Sequence, residues 1–341
     1  MSNKKKHKVF RRLGIVTIVA VYFLIAVGGI VRTTGSGMGC PDWPKCFGSW
    51  VPPTEVSQLP KNYKEKFKVQ GKEIADFDAF KTWTEYINRL IGVLIGLFIF
   101  ATFIASFSYR KSDRSIIVLS FASVILVGFQ GWIGAKVVAS DLSVSLITIH
   151  MVIAIALVFL LIYTIIRGFK SVWKPAQMSN KKRINQVLIL ALILSFMQVV
   201  LGTQVREAID VIAKAMGESQ RGAWVGNLGS SFLIHRSFSW LVFLSHVYLV
   251  YLLYTQIQDR KNYIFRYTIF LFVLIVSEIA TGIGMAYFGI PAVLQPIHLL
   301  IGSLVLGIQF FLLLAINYEK IFVKSEFRTS EGFSQEQLIS Q

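Results

Sequence analysis

The residues most able to do chemistry are the histidines. There are five. His7 sits in the basic start of the chain and reads as a solvated residue, but His150, His235, His246 and His298 fall inside apolar runs. An ionisable side chain within a membrane is costly and marks a functional site by default. His235 and His298 lie a similar few residues from the same end of their runs. Two neutral imidazoles at matched depth are what a six-coordinate haem iron requires. Zinc would want three or four ligands, and no further Cys, His or carboxylate is evident at that depth. His246 follows His235 by close to three helical turns, so it shares a face but lies deeper, and it is not read as a ligand.

Laying the chain on itself sharpens this reading. Asn88-Arg89 falls on His235-Arg236, and, after one inserted residue, Gly134 falls on Gly282 and His150 on His298. Gly28-x-x-x-Arg32 matches Gly202-x-x-x-Arg206 in the same way. The chain therefore reads as a tandem repeat of two four-helix units in the same orientation. The first unit offers Asn88 and His150 where the second offers His235 and His298. An amide oxygen is a weak donor, so an iron in the first unit has one strong axial ligand and an open position suited to substrate or oxygen chemistry, whereas a bis-histidine iron suits electron transfer. Glu85 shares a helix face with Asn88, and its counterpart is Phe232. A carboxylate found only beside the open iron is a candidate catalytic group, the alternative being an acid favoured by a helix start. Arg89 and Arg236, and Arg32 and Arg206, are candidates for pairing with haem propionates; interfacial snorkelling is the competing account for each. Gln130, Gln198 and Glu278, each four residues before a glycine, read as polar contacts inside the bundle.

The elements that must carry these residues are membrane helices. Of 341 residues, 54% are hydrophobic and 16% charged, with mean hydropathy +0.60, too apolar for water. Runs long enough to span a bilayer lie near 13–31, 86–108, 115–138, 143–166, 185–205, 231–254, 266–286 and 294–316. The net charge of +17 comes from clusters between the runs, which argues for topology and against nucleic-acid binding. Lys and Arg gather at the N-terminus, at 110–114, 167–183 and 260–266, and in the tail, so that side, with both termini, is expected to be cytoplasmic. The first helix has no small-residue cleavage site after it and reads as retained in a bacterial plasma membrane. The expected division is a basic tail 1–12, a first bundle 13–167 with an outer loop 33–82, a linker 168–184, a second bundle 185–316 and a cytoplasmic tail 317–341, with 207–229 a second outer loop.

The loop after the first run reads RTTGSGMGCPDWPKCFGSWVPP, with Cys40 and Cys46 the only cysteines. An extracytoplasmic site permits a disulfide, and the spacing does not choose between a structural staple and a redox pair. GGIVRTTGSGMGCPDWPKC followed by EYINRLIG resembles the haem A synthase family, in which the first helix runs into a GSG-x-x-C-P-D-W-P loop and the second opens with E-x-x-H-R. His150, His235-Arg236 and His298 extend the resemblance over essentially all eight helices. It implies an enzyme that oxidises the C8 methyl group of haem O to a formyl group by successive hydroxylations, supplying haem A to terminal oxidases. It also implies haem b held by His235 and His298, a haem O site in the first half with Glu85 and His150 essential, and Cys40 and Cys46 as the paired cysteines of bacterial members. Its partners would be the haem O substrate, membrane lipid, an electron donor, and haem O synthase and terminal-oxidase assembly factors. The departure is Asn88, where most members have histidine. Of the rivals, an electron-carrying cytochrome would need a second bis-histidine haem, a transporter would be expected to show broken helices, and a prenyltransferase would need aspartate-rich motifs that are absent.

Overall fold

In the computed structural model the described residues are 3–169, 178, 180–257 and 261–323. The expected linker 168–184 and tail 317–341 fall largely outside them. Eight helices are long and apolar enough to cross a membrane, and among the described residues there is no strand ladder, only two isolated bridges in the loop, Cys46 with Ser49 and Val69 with Lys72. The protein is an all-α integral membrane protein. The helices are α1 Asn3–Thr33, α2 Ala79–Ser106, α3 Arg114–Ala139, α4 Val144–Gly168, α5 Lys181–Met216, α6 Ser230–Gln256, α7 Tyr263–Tyr287 and α8 Leu294–Ile316. Such a chain has little alternative, because in hydrocarbon each backbone N–H and C=O must be satisfied within its own segment.

Two helices outrun the apolar stretches that announce them. α1 begins at Asn3 instead of near residue 13, so the basic segment is a helical extension rather than a free tail. Lysine and arginine are good helix formers, and the extension has something to pack against: Phe10 is fully buried with Tyr109 and Ile165. His7 is correspondingly not a plain solvated residue; it stacks on Tyr109 with centroids 3.9 Å apart, and its Nε2 lies 3.1 Å from the Ser108 carbonyl. α5 continues to Met216, so the first part of the expected loop 207–229 is helical. Nothing between Thr203 and Met216 breaks a helix; the break comes at Gly217, whose φ of +75° favours glycine.

Helices α1 to α4 pack in sequence, α1 on α2, α2 on α3, α3 on α4, with α4 returning to α1; α5 to α8 do the same. The two groups meet where α8 packs on α1 and α4, and α4 on α5. Each group has an apolar cluster, Ile95, Ile99, Leu157 and Leu161 in one and Leu188, Leu249, Leu253 and Leu271 in the other, and α8 joins them, its Leu314 buried in the first cluster and its Phe311 packed against both. At the seam Phe159 stacks on Phe310 at 4.4 Å, and the Thr148 hydroxyl donates to Thr203 Oγ1 at 3.2 Å.

The segment between α1 and α2 is an ordered cap. Cys40 and Cys46 are disulfide-bonded and fully buried with Phe47, which meets Tyr63, Phe67 and Phe77 edge-on. Asp42 accepts from Phe47 N at 2.6 Å and Gly48 N at 2.8 Å, closing the turn. The cap reaches across to the α3–α4 connection, where Gln70 donates to the Ala139 carbonyl at 2.7 Å and Gly37 packs against Leu142.

Candidate haem site

His235 on α6 and His298 on α8 face each other with ring centroids 6.4 Å apart and planes 67° apart. Two imidazoles bound to opposite sides of one metal, each through a bond of about 2.0 Å, have centroids roughly 6 Å apart. The neighbours are shaped to admit the rings. A Cβ on Gly202 would stand 3.3 Å from His235 Cε1, and one on Gly282 would stand 3.5 Å from His298 Cε1. Gln198 donates to the His235 carbonyl at 3.0 Å. Thr281 Oγ1 lies 2.9 Å from His298 Nδ1, and Glu278 Oε1 lies 3.3 Å from His298 Nε2. In a metal site one imidazole nitrogen binds the metal and the other donates to a hydroxyl, carboxylate or carbonyl neighbour; Thr281 fills that second role at Nδ1, and a metal at Nε2 would take the place of the Glu278 contact. The Nδ1 of His235 is buried with no hydrogen-bond partner among the described residues, a state that is expensive unless a ligand supplies the partner. The residues present thus fit a haem held between two histidines. No group of three or more His, Cys, Asp or Glu among the described residues is placed to hold a metal ion, and a bis-histidine haem needs only two.

Matching contacts recur in α1 to α4. Gln130 donates to the His150 carbonyl at 2.9 Å, and a Cβ on Gly134 would stand 3.7 Å from His150 Cε1. His150 Nδ1 and Asn88 Oδ1 are both buried without a hydrogen-bond partner among the described residues.

Glu85 and Arg89 are the best-satisfied charged groups of the site. Glu85 is buried; its Oε2 accepts from Cys40 N at 2.8 Å, and its Oε1 takes Arg89 Nε at 3.1 Å and Nη2. Arg89 spends its other donors on the carbonyls of Cys40 at 2.8 Å, Asp42 at 2.7 Å and Lys45 at 3.1 Å. The pair ties the disulfide turn to the first turns of α2. One turn earlier Thr82 donates to the Gly39 carbonyl at 2.9 Å, and the fit is close: a Cβ on Gly39 would lie 2.4 Å from the Lys81 carbonyl oxygen. Backbone cannot yield to a methyl as a side chain end can. Gly39→Ala is therefore expected to lift the turn from α2 at a cost of about 1–3 kcal/mol, seen as faster limited proteolysis of residues 34–78 in intact membranes.

Arg32 and Arg206 share a carboxylate. Asp210 Oδ2 lies 2.9 Å from Arg32 and Oδ1 2.7 Å from Arg206, and Arg206 also donates to Gln295 of α8. Asp210 rides on the part of α5 beyond its apolar run, so it links α1 and α5. Arg236 is exposed, its guanidinium 5.7 Å from the Phe232 ring centroid. Of the four arginines expected to meet propionates, Arg89, Arg32 and Arg206 are thus engaged with protein carboxylates, and only Arg236 is held by a ring contact.

Residues 11–310 match the family of cytochrome oxidase assembly proteins COX15-CtaA. The chain belongs to this family. A haem A synthase of Alkalihalophilus pseudofirmus is 30% identical over 162 residues, 47% of either chain. Those of Shouchella clausii and Bartonella bacilliformis align along nearly the whole length: 24% identity over 92% of this chain and 99% of the relative, and 25% over 87% and 88%. The family match covers both groups of helices, the disulfide turn and all the intramembrane histidines.

Within this family member several polar residues escaped sequence reasoning. Asp210 was hidden by the expectation of a loop, although its position four residues after Arg206 is a helical pairing signal. Gln295 carries no signal except its place three residues before His298, and Thr281 none except its place beside Gly282. His246, with Gln309 and Ser195, forms a buried hydrogen-bonded chain. Its Nδ1 donates to the Val242 carbonyl at 2.7 Å, while Gln309 Nε2 lies 2.8 Å from its Nε2 and donates to Ser195 Oγ at 2.9 Å. Both ring nitrogens of His246 meet protein groups.

Proposed function

We propose that this protein is a haem A synthase, oxidising the C8 methyl group of haem O to a formyl group by successive hydroxylations for the supply of haem A to terminal oxidases. The observation that carries the reading is the facing pair His235 and His298 in a chain of this family, together with a third intramembrane histidine, His150 on α4, whose counterpart across the first unit is Asn88. In this reading α5 to α8 hold haem b through His235 and His298, and α1 to α4 hold the substrate through His150. Haem b, when bound, supplies one-electron transfer between a donor and the substrate site.

The tasks of the chain's own residues follow from the geometry. Thr281 orients the His298 ring through Nδ1, which leaves Nε2 for the iron once Glu278 gives way, and Gln198 fixes the backbone at His235. Gly202 and Gly282 keep side chains out of the space the rings need. Glu85 and Arg89 hold the disulfide turn over the end of α2, which keeps bulk water from the open side of the substrate, and Asp210 joins the two helical groups through Arg32 and Arg206. Cys40 and Cys46 serve as the staple of that cap. Arg236 is the propionate-binding candidate whose charge is not met by a carboxylate among the described residues. We place the termini on the cytoplasmic side of a bacterial plasma membrane, the cap outside, with 13–167 and 185–316 as the two tandem units.

The decisive test is pigment extraction from membranes of cells given a haem O source with and without this chain. Haem A is expected only where the chain is present. Membranes that hold haem O alone, with the chain expressed and inserted, would refute the reading.

A further inference from the structure

His235 corresponds in register to Asn88, and the contacts of His150 with Gln130 and Gly134 repeat those made around the second-half histidines. Asn88 therefore stands where the opposite axial ligand stands in the other half. An amide will not close that position, because its oxygen is a weak donor to iron. Its neighbours do not use it either. Glu85 and Arg89 are committed to each other and to the turn, and the side-chain oxygen of Asn88, Oδ1, is buried with no partner among the described residues. Leaving that acceptor unmet away from water is costly, and the same amide carries two donors.

There is also room beside it. One and two turns along α2, Gly92 and Gly96 would each accept a Cβ with nothing within 4 Å. The corresponding positions of α6 are Ser239 and Phe243, and Phe243 fills its space, its ring centroid 6.0 Å from that of Phe272 on α7.

Resting on the proposed substrate site at His150, we infer that Asn88 is a hydrogen-bonding, non-ligating residue that holds a small uncharged molecule on the open axial side of the first-half haem. A diatomic gas or water has the right size and polarity. His235 gives the second half no such vacancy, so only one of the two haems should take an added ligand.

Carbon monoxide is the probe, applied to the reduced full-length protein loaded with both haems and followed by optical and infrared spectroscopy. One haem is expected to bind it while the other keeps its low-spin spectrum, which serves in each variant as the check of folding. Asn88→Leu should raise the C–O stretching frequency and weaken binding about five- to tenfold, the worth of one hydrogen bond; Asn88→Gln, which keeps the amide, should lie between. Asn88→His should abolish carbon monoxide binding and add a second low-spin haem. Loaded wild-type protein that binds no carbon monoxide overturns the inference, as does an Asn88→Leu variant with unchanged stretch and affinity. A chain that takes up only the second-half haem, even with excess haem O, overturns instead the reading on which the inference rests.

Discussion

Alanine at His235, or at His298, is expected to remove the low-spin haem b spectrum from the purified protein. In the proposed haem b site each ring would supply one of two strong axial donors, and loss of either would leave an iron with a single imidazole, which is high-spin. The rings are held separately, His298 by Thr281 and His235 through its backbone by Gln198, so neither substitution should be rescued by the other histidine moving across. His246→Ala is the matched control, because it lies on the same helix as His235. It should keep the low-spin spectrum while destabilising α5, α6 and α8 by about 1–3 kcal/mol, since Gln309 loses a buried partner. Retention of the low-spin signal in both His235→Ala and His298→Ala would refute the haem b assignment, and its loss in His246→Ala alone would move the site.

The two kinds of information in the sequence were not equally legible. Lipid imposes a length and an apolarity on every span, so eight helices can be read from hydropathy alone. The ends of α1 and α5 cannot, because beyond the hydrocarbon a helix is free to continue through lysine, arginine and aspartate wherever tertiary contacts support it. Phe10 against Tyr109, and Asp210 between Arg32 and Arg206, are such contacts. The histidines were legible because a titratable group in lipid needs a reason to be there. The arginines were only half legible. Their number and position call for carboxylates; the four-residue spacings of Glu85 to Arg89 and of Arg206 to Asp210 are pairing signals, but nothing in the pattern says that Arg32 shares Asp210 instead of meeting a propionate.

A second ambiguity is the task of Glu85, and substitution can resolve it. A carboxylate has about four lone-pair directions, and Arg89 takes Oε1 through two donors while the Cys40 amide takes Oε2. Little of Glu85 is left to accept a proton from substrate while the cap is closed, so its first task is to hold the cap. Glu85→Gln places an amide, with donors of its own, against a guanidinium and a backbone N–H, and leaves a buried cation uncompensated. Haem A formation is expected to fall by about a hundredfold or more, as for a displacement of about 1 Å at a reacting centre, with the haem b spectrum intact. Arg89→Ala should do the same, since it frees the carbonyls of Cys40, Asp42 and Lys45 together, and both variants should expose Cys40 and Cys46 to reductant and alkylation faster than wild type. If Arg89→Ala loosens the cap yet keeps turnover while Glu85→Gln abolishes it, the carboxylate acts on substrate directly and the cap is secondary. If Glu85→Gln turns over normally, neither role stands.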